Sequence, residues 1–276
     1  MKEERWSIDT FHSIVDDEER QIRYDPEKHP LWPLSGEPME PGLDLWDSVR
    51  GYVYDHVELP DERLYDIVTA WILLSWIKEG FDIVPYLRFL GMKNTGKTRG
   101  LRVLLHLCYR GVLSPSITEA VLYRLCHDYN VTYLLDETEH YSNEAKASIQ
   151  NVLNAGYKRD SQVLRCATAE DGSIIVVGFD VFGPKGIAGT RTLRDTLESR
   201  CVPIIMARNT RDVRYDIDRR GAKELRSKLL LWRFRRLHDL DVLSEDSEGG
   251  EGYYGPPPST KNHHQQPGCR TIRPTP

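Results

Sequence analysis

The stretch that decides the fold is "PYLRFLGMKNTGKTRG", residues 85–100. Its first six residues are apolar or aromatic apart from Arg88, and they predict a buried β-strand, Pro85–Leu90. The next eight residues fit the pattern G-x-x-x-x-G-K-[ST], and a helix is predicted from Lys97 to Tyr109. A glycine-rich loop between a strand and a helix can turn its backbone N–H groups toward a phosphate. The alternative is a turn that only joins the two elements.

As a phosphate loop, this segment would supply ligands for both a nucleotide and a metal ion. Glycine is needed where a side chain would collide with the phosphate or forbid the backbone angle. Lys97 would reach the β- and γ-phosphates, and the Thr98 hydroxyl would hold Mg²⁺. The predicted cofactors are therefore ATP and Mg²⁺. The predicted nucleotide-binding residues of the loop are Gly91, Met92, Lys93, Asn94, Thr95, Gly96, Lys97 and Thr98.

A second signal is the acidic pair that ends "VTYLLDETE", residues 131–139. The apolar run predicts a buried strand, Val131–Leu135, and Asp136 after it lies 39 residues beyond Lys97. Asp136 would complete the metal site, and Glu137 would polarise a water for attack on the γ-phosphate. An adjacent glutamate is typical of NTPases that hydrolyse their nucleotide. The alternative is a strand that happens to end in an acidic turn.

Strands alternate with helices through the middle of the chain. The other predicted strands are Val112–Ser114, Val181–Ala188 and Val202–Ala207, and the other predicted helices are Ser116–Tyr129, Asn143–Ala155 and Arg194–Ser199. A capping-box pattern, Ser116-x-x-Glu119, supports one helix start, and Gly156 supports one helix stop. This order predicts an α/β fold with a mainly parallel sheet, helices on both faces and ligands at the carboxyl ends of the strands.

Two further residues are predicted to act on the γ-phosphate. "KGIAGT" ends a predicted strand and would place Thr190 near the phosphate as a polar sensor. In "TLRDTLESRCVPIIM", residues 192–206, Arg200 joins a short helix to a strand. In oligomeric ATPases, an arginine at this place can project into a neighbouring subunit's nucleotide and stabilise the charge on the γ-phosphate oxygens. The alternative for Arg200 is a helix C-cap. The predicted catalytic residues are Glu137, Lys97 and Arg200.

With the elements in this order, the chain resembles the AAA+ ATPases and their three-layer core with a five-stranded sheet. "SRC" at 199–201 is similar to the trans-acting arginine motif of clamp loaders. "LNAGYKRDSQVLRC" and "FDVFGPKGIAGTRTLRDTLESR" resemble an uncharacterised ATPase domain found beside primases in phages, plasmids and archaeal mobile elements. The resemblance runs from about Leu45 to Asp239. It implies a replication helicase or translocase that forms a homo-oligomeric ring on single- or double-stranded DNA, with primase or replication proteins as possible partners.

The resemblance also implies a nucleotide-contacting arginine in a short helical lid and a DNA-contacting hairpin. Candidates for the lid arginine are Arg219, Arg220 and Arg226. A β-hairpin is predicted around Asp171-Gly172, and its nearby cations Lys158, Arg159 and Arg165 are the predicted nucleic-acid contacts. A purely structural hairpin is the alternative, because the tip "AEDGS" is acidic and would repel phosphates. The basic stretch 208–236, with Tyr215, Trp232 and Phe234, offers another surface.

Composition limits the remaining possibilities. The 276 residues carry a net charge of −5; residues 1–64 hold 17 acidic against 7 basic side chains, and residues 208–236 hold 11 basic against 4 acidic. No signal core, membrane span or paired-cysteine motif is visible, so we expect a cytoplasmic protein with reduced thiols. The predicted division is an irregular acidic lead-in (1–43), a helical extension (44–80), the ATPase core (81–210), a truncated lid (211–243) and a disordered tail (244–276). A nucleotide-binding switch without motor activity and a protein-remodelling ATPase are the alternative functions.

Overall fold

The computed structural model describes residues 41–42, 44–136, 143–169, 172–191, 193 and 195–248, with only the backbone of 143, 195 and 238–248. The described residues up to Leu240 belong to one compact unit, and those from Asp241 to Glu248 belong to a second. The helices are α1 (Leu45–His56), α2 (Glu62–Trp76), α3 (Lys97–Leu107), α4 (Glu119–Tyr129), α5 (Asn143–Ala155), α6 (Asp195–Glu198) and α7 (Arg219–Glu248), with a 3₁₀ turn at Lys78–Gly80. The strands are β1 (Tyr86–Leu90), β2 (Gly111–Ser114), β3 (Thr132–Leu135), β4 (Gln162–Thr168), β5 (Ile174–Asp180), β6 (Lys185–Gly189) and β7 (Cys201–Ile205).

Five of the strands form one parallel sheet in the order β2-β3-β6-β1-β7. The predicted α/β fold with a five-stranded parallel sheet is confirmed. β1 lies inside the sheet, with β6 on one side and β7 on the other. The carboxyl ends of β1, β3 and β6 therefore meet at one edge, where the sequence predicted the site.

Each face of the sheet has its own apolar core, because successive side chains of a strand point to opposite faces. Leu87 and Phe89 of β1 pack with α1, α2, α3 and α7. Tyr86 of β1 packs on the other face with residues of α4 and α5. Helices thus cover both faces, as expected for a parallel sheet that is buried on both sides.

The predicted hairpin is present, as the antiparallel pair β4-β5. Gly172 at its turn has a φ of +81°, a left-handed conformation that glycine adopts without strain. The predicted strand Val181–Ala188 is wrong in its first half, because β5 ends at Asp180 and β6 begins at Lys185. Between them, Gly183 has a φ of +143° and Pro184 has no N–H to donate, so an apolar run there does not continue a strand.

Two predicted helix boundaries also shift by three residues or more. The capping box at Ser116 is wrong: α4 begins at Glu119, and the Thr118 side chain accepts the cap hydrogen bond from the Val121 N–H (3.4 Å). Ser114 Oγ instead accepts from the Ser116 N–H (3.3 Å), which holds that residue in the preceding turn. At the other end of the chain, α7 continues to Glu248, into residues that were predicted to begin the tail.

Among the described helices, none combines the length and the apolar character needed to cross a bilayer.

The predicted helix stop at Gly156 is confirmed, since α5 ends at Ala155. The Gly156 site has no room for a side chain. A Cβ atom there would lie 2.5 Å from the Val181 carbonyl oxygen and 2.6 Å from the buried Lys185 Nζ. That amine already bonds the Val181, Gly183 and Gly156 carbonyls and has little freedom to move.

We expect Gly156→Ala to lower the free energy of unfolding by about 1–3 kcal/mol, because the added methyl overpacks this junction. Gly51→Ala is the matched control, since nothing lies within 4 Å of its Cβ and it sits inside α1. That change should raise stability by about 0.5–1 kcal/mol. Urea denaturation measures the change in the free energy of unfolding of both variants, and the m-value should stay unchanged. Equal effects of the two substitutions would contradict the packing argument.

Candidate nucleotide-binding site

The loop between β1 and α3 has the backbone conformation of an anion cradle. Asn94 has a φ of +63° and Gly96 a φ of +86°, and Gly96 is the N-cap of α3. Such left-handed residues alternate the peptide orientation and turn N–H groups into a common concavity. The positive end of the α3 dipole opens at the same point. This segment can therefore bind an anion through its backbone.

Close packing fixes the two ends of the loop. A Cβ at Gly91 would lie 2.6 Å from the Met206 carbonyl oxygen and 2.7 Å from Thr95 Oγ1, so glycine is required where the loop leaves β1. Thr95 is buried, and its hydroxyl donates to the Met92 carbonyl (2.9 Å). The Lys97 Nζ donates to the same carbonyl (2.6 Å). Lys97 thus lies folded over the loop, within reach of a ligand in the cradle.

The sheet order brings two more predicted residues to the loop. Asp136 directly follows β3, and Thr190 directly follows β6, which lies between β3 and β1. Neighbouring strands are about 4.8 Å apart, so the ends of β1 and β3 are separated by about 10 Å. That separation leaves room for a phosphate chain between the loop and Asp136. Thr190, at the end of the strand between them, lies midway across this gap.

A cleft of about 440 Å³ occupies this space. Its lining comes from the loop and the start of α3 (Lys93, Asn94, Thr95, Gly96, Lys97, Thr98, Arg99), from Asp136, and from the end of β6 with the residue after it (Ala188, Gly189, Thr190). Six of the eight predicted loop residues therefore line one cleft with Thr190 and Asp136. Gly91 lies at the base of the loop, and Met92 is 78% exposed.

The predicted base, Glu137, lies outside the described residues. Its position follows Asp136 directly in the chain, and its role stays a prediction.

Arg200 lies away from this cleft. It precedes β7 and so sits at the amino edge of the parallel sheet, about one strand length, roughly 17 Å, from the carboxyl edge. Its guanidinium donates to the carbonyl (2.5 Å) and side-chain oxygen (2.8 Å) of Asn154 and lies 4.2 Å from the ring centre of Tyr157. The structure does not bring Arg200 to the nucleotide cleft of its own chain, and the trans role stays a prediction.

The three cations near the hairpin differ in their surroundings. Arg159 donates to the carbonyls of Glu79 and Phe81, and Arg165 pairs with the Glu119 carboxylate. Lys158 is exposed, beside the bridge that its backbone forms with Ile83. Arg159 and Arg165 are thus engaged within the protein, an arrangement that the alternative of a structural hairpin also explains.

The three candidate lid arginines also lie in different surroundings. Arg226 is buried and donates to the His106 carbonyl (2.5 Å), and Arg220 is exposed and lies 3.4 Å from Glu224. Arg219 lines a second cleft of about 970 Å³ between α3 and the start of α7. Burial and the nearby Arg226 lower the pKa of His106, which also lines this cleft, to about 4.

Sequence reasoning missed this second cleft and its connection to the first. Thr98 and Arg99 line both clefts. Arg99 donates to the carbonyl oxygens of Arg214 and Tyr215 and so ties α3 to the segment before α7. Its position directly after the phosphate-loop motif was the only available signal, since Arg214 and Tyr215 lie 115 and 116 residues away in the chain.

Comparison with known proteins finds similar solved structures but no family. No family model matches the chain, and no curated protein matches it. Three solved structures of JCV helicase match at TM-score 0.39. Their sequence identities to this chain are 16% for a complex with an acetamide compound, 15% for a complex with an inhibitor and 18% for a structure of the helicase. The matches cover 73%, 77% and 75% of this chain. The chain spans about three fifths of those helicase chains (61%, 62% and 60%). Likeness at this level does not define a shared function.

Proposed function

We propose that the chain is a Mg²⁺-dependent ATPase of the AAA+ class that acts on nucleic acid in the replication of a chromosome or mobile element. The observation that carries the proposal is the single cleft lined by the loop after β1, by Thr190 and by Asp136. A basic amine, a hydroxyl and a carboxylate there face the same space at the carboxyl edge of a parallel sheet, where such folds bind ligands.

In this proposal the loop binds the phosphates. The left-handed residues Asn94 and Gly96 orient backbone N–H groups toward the β-phosphate, and the N-terminus of α3 adds positive potential. The Lys97 amine exchanges its contact with the Met92 carbonyl for the β- and γ-phosphate oxygens. Thr190 donates to the γ-phosphate, and Glu137 orients the attacking water and accepts its proton.

The residues present fit a magnesium ion. Thr98 and Asp136 line the cleft with hard oxygen donors, and Mg²⁺ in nucleotide sites is held by one or two side chains together with phosphate oxygens. Among the described residues, no cluster of three His, Cys, Asp or Glu side chains could hold a metal by itself, so the phosphates would complete the ligand set. When bound, the ion neutralises charge on the phosphates.

In this proposal the second cleft provides space for the nucleoside part of the nucleotide. The cleft of about 440 Å³ holds the phosphate-binding residues, and the larger cleft begins at Thr98 and Arg99, beside the loop. We place the nucleoside in this larger cleft, against the segment that runs from Tyr215 to Arg219.

Support for nucleic acid as the partner comes from the resemblance and from charge. The described part of α7 presents exposed cations at Arg220 and Lys223, which do not line the larger cleft. Arginine and lysine side chains neutralise the phosphates of a nucleic acid. The ring assembly and primase partners rest on the resemblance alone.

The test is an ATPase assay with and without single-stranded DNA. We expect Mg²⁺-dependent phosphate release that DNA stimulates several-fold, with a stimulation that falls as salt rises because phosphate contacts are screened. Hydrolysis without any response to DNA would favour a protein-remodelling ATPase. ATP binding without hydrolysis would favour a regulatory switch, and no binding at all would refute the proposal.

A further inference from the structure

Arg88 is a fully buried charge in β1, an interior strand of the sheet. Strands of a parallel sheet that is covered on both faces are ordinarily apolar, and an unpaired buried guanidinium is strongly unfavourable. Arg88 satisfies its charge by pairing with the Glu198 carboxylate on α6 and by donating to the Arg191 carbonyl. Its Nε lacks a hydrogen-bond partner among the described residues. An apolar side chain would fill this position at less cost, so the core itself does not explain the arginine.

The contacts of this pair converge on the segment after β6. The Glu198 carboxylate also accepts from the Leu193 N–H (3.0 Å). Residues 191 and 193 are therefore both held by the pair, one through its carbonyl and one through its amide. Thr190 is the residue before them, and it lines the nucleotide cleft. Arg88 itself lies three residues before Gly91, where the loop begins.

We propose that Arg88 and Glu198 are a pair of positioning residues that hold Thr190 in register with the phosphate loop and thereby set the rate of hydrolysis. The inference rests on the proposed ATPase function. One end of the pair is fixed in the strand that bears the loop, and the other end restrains the segment that bears Thr190. Neither residue lines the cleft, so the pair acts through Thr190 and not on the nucleotide.

The test replaces both partners by apolar residues, as Arg88→Met with Glu198→Leu. Removing both avoids leaving one buried charge unpaired, which would unfold the protein for an unrelated reason. The double variant should keep the wild-type Tm within a few degrees and its Kd for ATP within about threefold. Its kcat should fall at least tenfold, because only the contact to the γ-phosphate is misplaced. Adding Thr190→Ala should then lower kcat by less than a further twofold, since both changes affect one contact.

The matched control is Arg50→Met with Glu62→Leu, which removes the 2.9 Å ion pair between α1 and α2. This pair lies on the surface and should leave kcat unchanged. A kcat of the Arg88/Glu198 double variant within twofold of wild type would show that the pair is only structural and would overturn the inference.

A second variant covers the case in which the double variant fails to fold. Glu198→Gln keeps the shape of the side chain and one acceptor oxygen, so Arg88 still has polar partners in that oxygen and the Arg191 carbonyl, and only the negative charge that holds Arg88 and the Leu193 N–H together is lost. We expect a lower kcat with unchanged Kd, and an unchanged kcat would overturn the inference. If the wild-type protein binds no ATP, the proposed function and this inference fall together. If it binds and hydrolyses ATP while Glu198→Gln is fully active, only the positioning role falls.

Discussion

Lys97→Ala is expected to weaken ATP binding by roughly 10- to 150-fold, the loss that follows when a hydrogen bond to a charged group worth about 1.5–3 kcal/mol is removed. The side chain lines the cleft, and its one described contact is with the Met92 carbonyl of the same loop, so its removal should not disturb the core. The Kd for ATP can be measured by calorimetric titration or by the fluorescence of a labelled ATP analogue.

Lys223→Ala is the control for lost positive charge, because Lys223 is exposed on α7 and does not line the cleft. It should bind ATP as the wild type does. Undiminished affinity in the Lys97 variant, with the fold intact by circular dichroism, would refute the assignment of the loop.

Glu137→Gln should bind ATP with wild-type affinity and hydrolyse it about 10²- to 10⁴-fold more slowly, the usual contribution of a general base. Glutamine preserves the size of the side chain but cannot accept the proton of the attacking water. The variant should therefore trap ATP, which single-turnover phosphate release and filter binding of labelled ATP would record separately.

Asp128→Asn serves as the control for Glu137→Gln, because Asp128 is an exposed carboxylate on α4. Its kcat should equal that of the wild type. Phosphate release by the Glu137 variant at the wild-type rate would remove the residue from the base role and leave the loop assignment intact.

The sequence predicted those parts of the site that are local in the chain. The loop, the strand before it and the helix after it follow from residues 85–107 alone, and the structure places them as expected. Asp136 and Thr190 were predicted because each directly follows an apolar strand, and a parallel sheet gathers such ends at one edge. The strand order that separates them is a tertiary property and could not be derived from spacing.

Contacts between distant residues account for most of what sequence reasoning missed. Arg88 was visible as a single charge in an apolar strand, but its partner Glu198 is 110 positions away. Arg165 looked like a cation available for DNA until the fold paired it with Glu119. The apolar run at 181–184 resembled a strand because periodicity does not register the positive φ of Gly183. In each case, a long-range pairing or a backbone angle decided the outcome.

The position of β6 between β1 and β3 has a thermodynamic consequence. The lysine side and the aspartate side of the cleft are held about 10 Å apart by two strand spacings, so the fold keeps opposite charges separated. A triphosphate alone would face a carboxylate, and a divalent cation alone would face an amine. Each ligand should therefore bind poorly by itself and raise the affinity for the other by the same factor, which makes their uptake mutually cooperative.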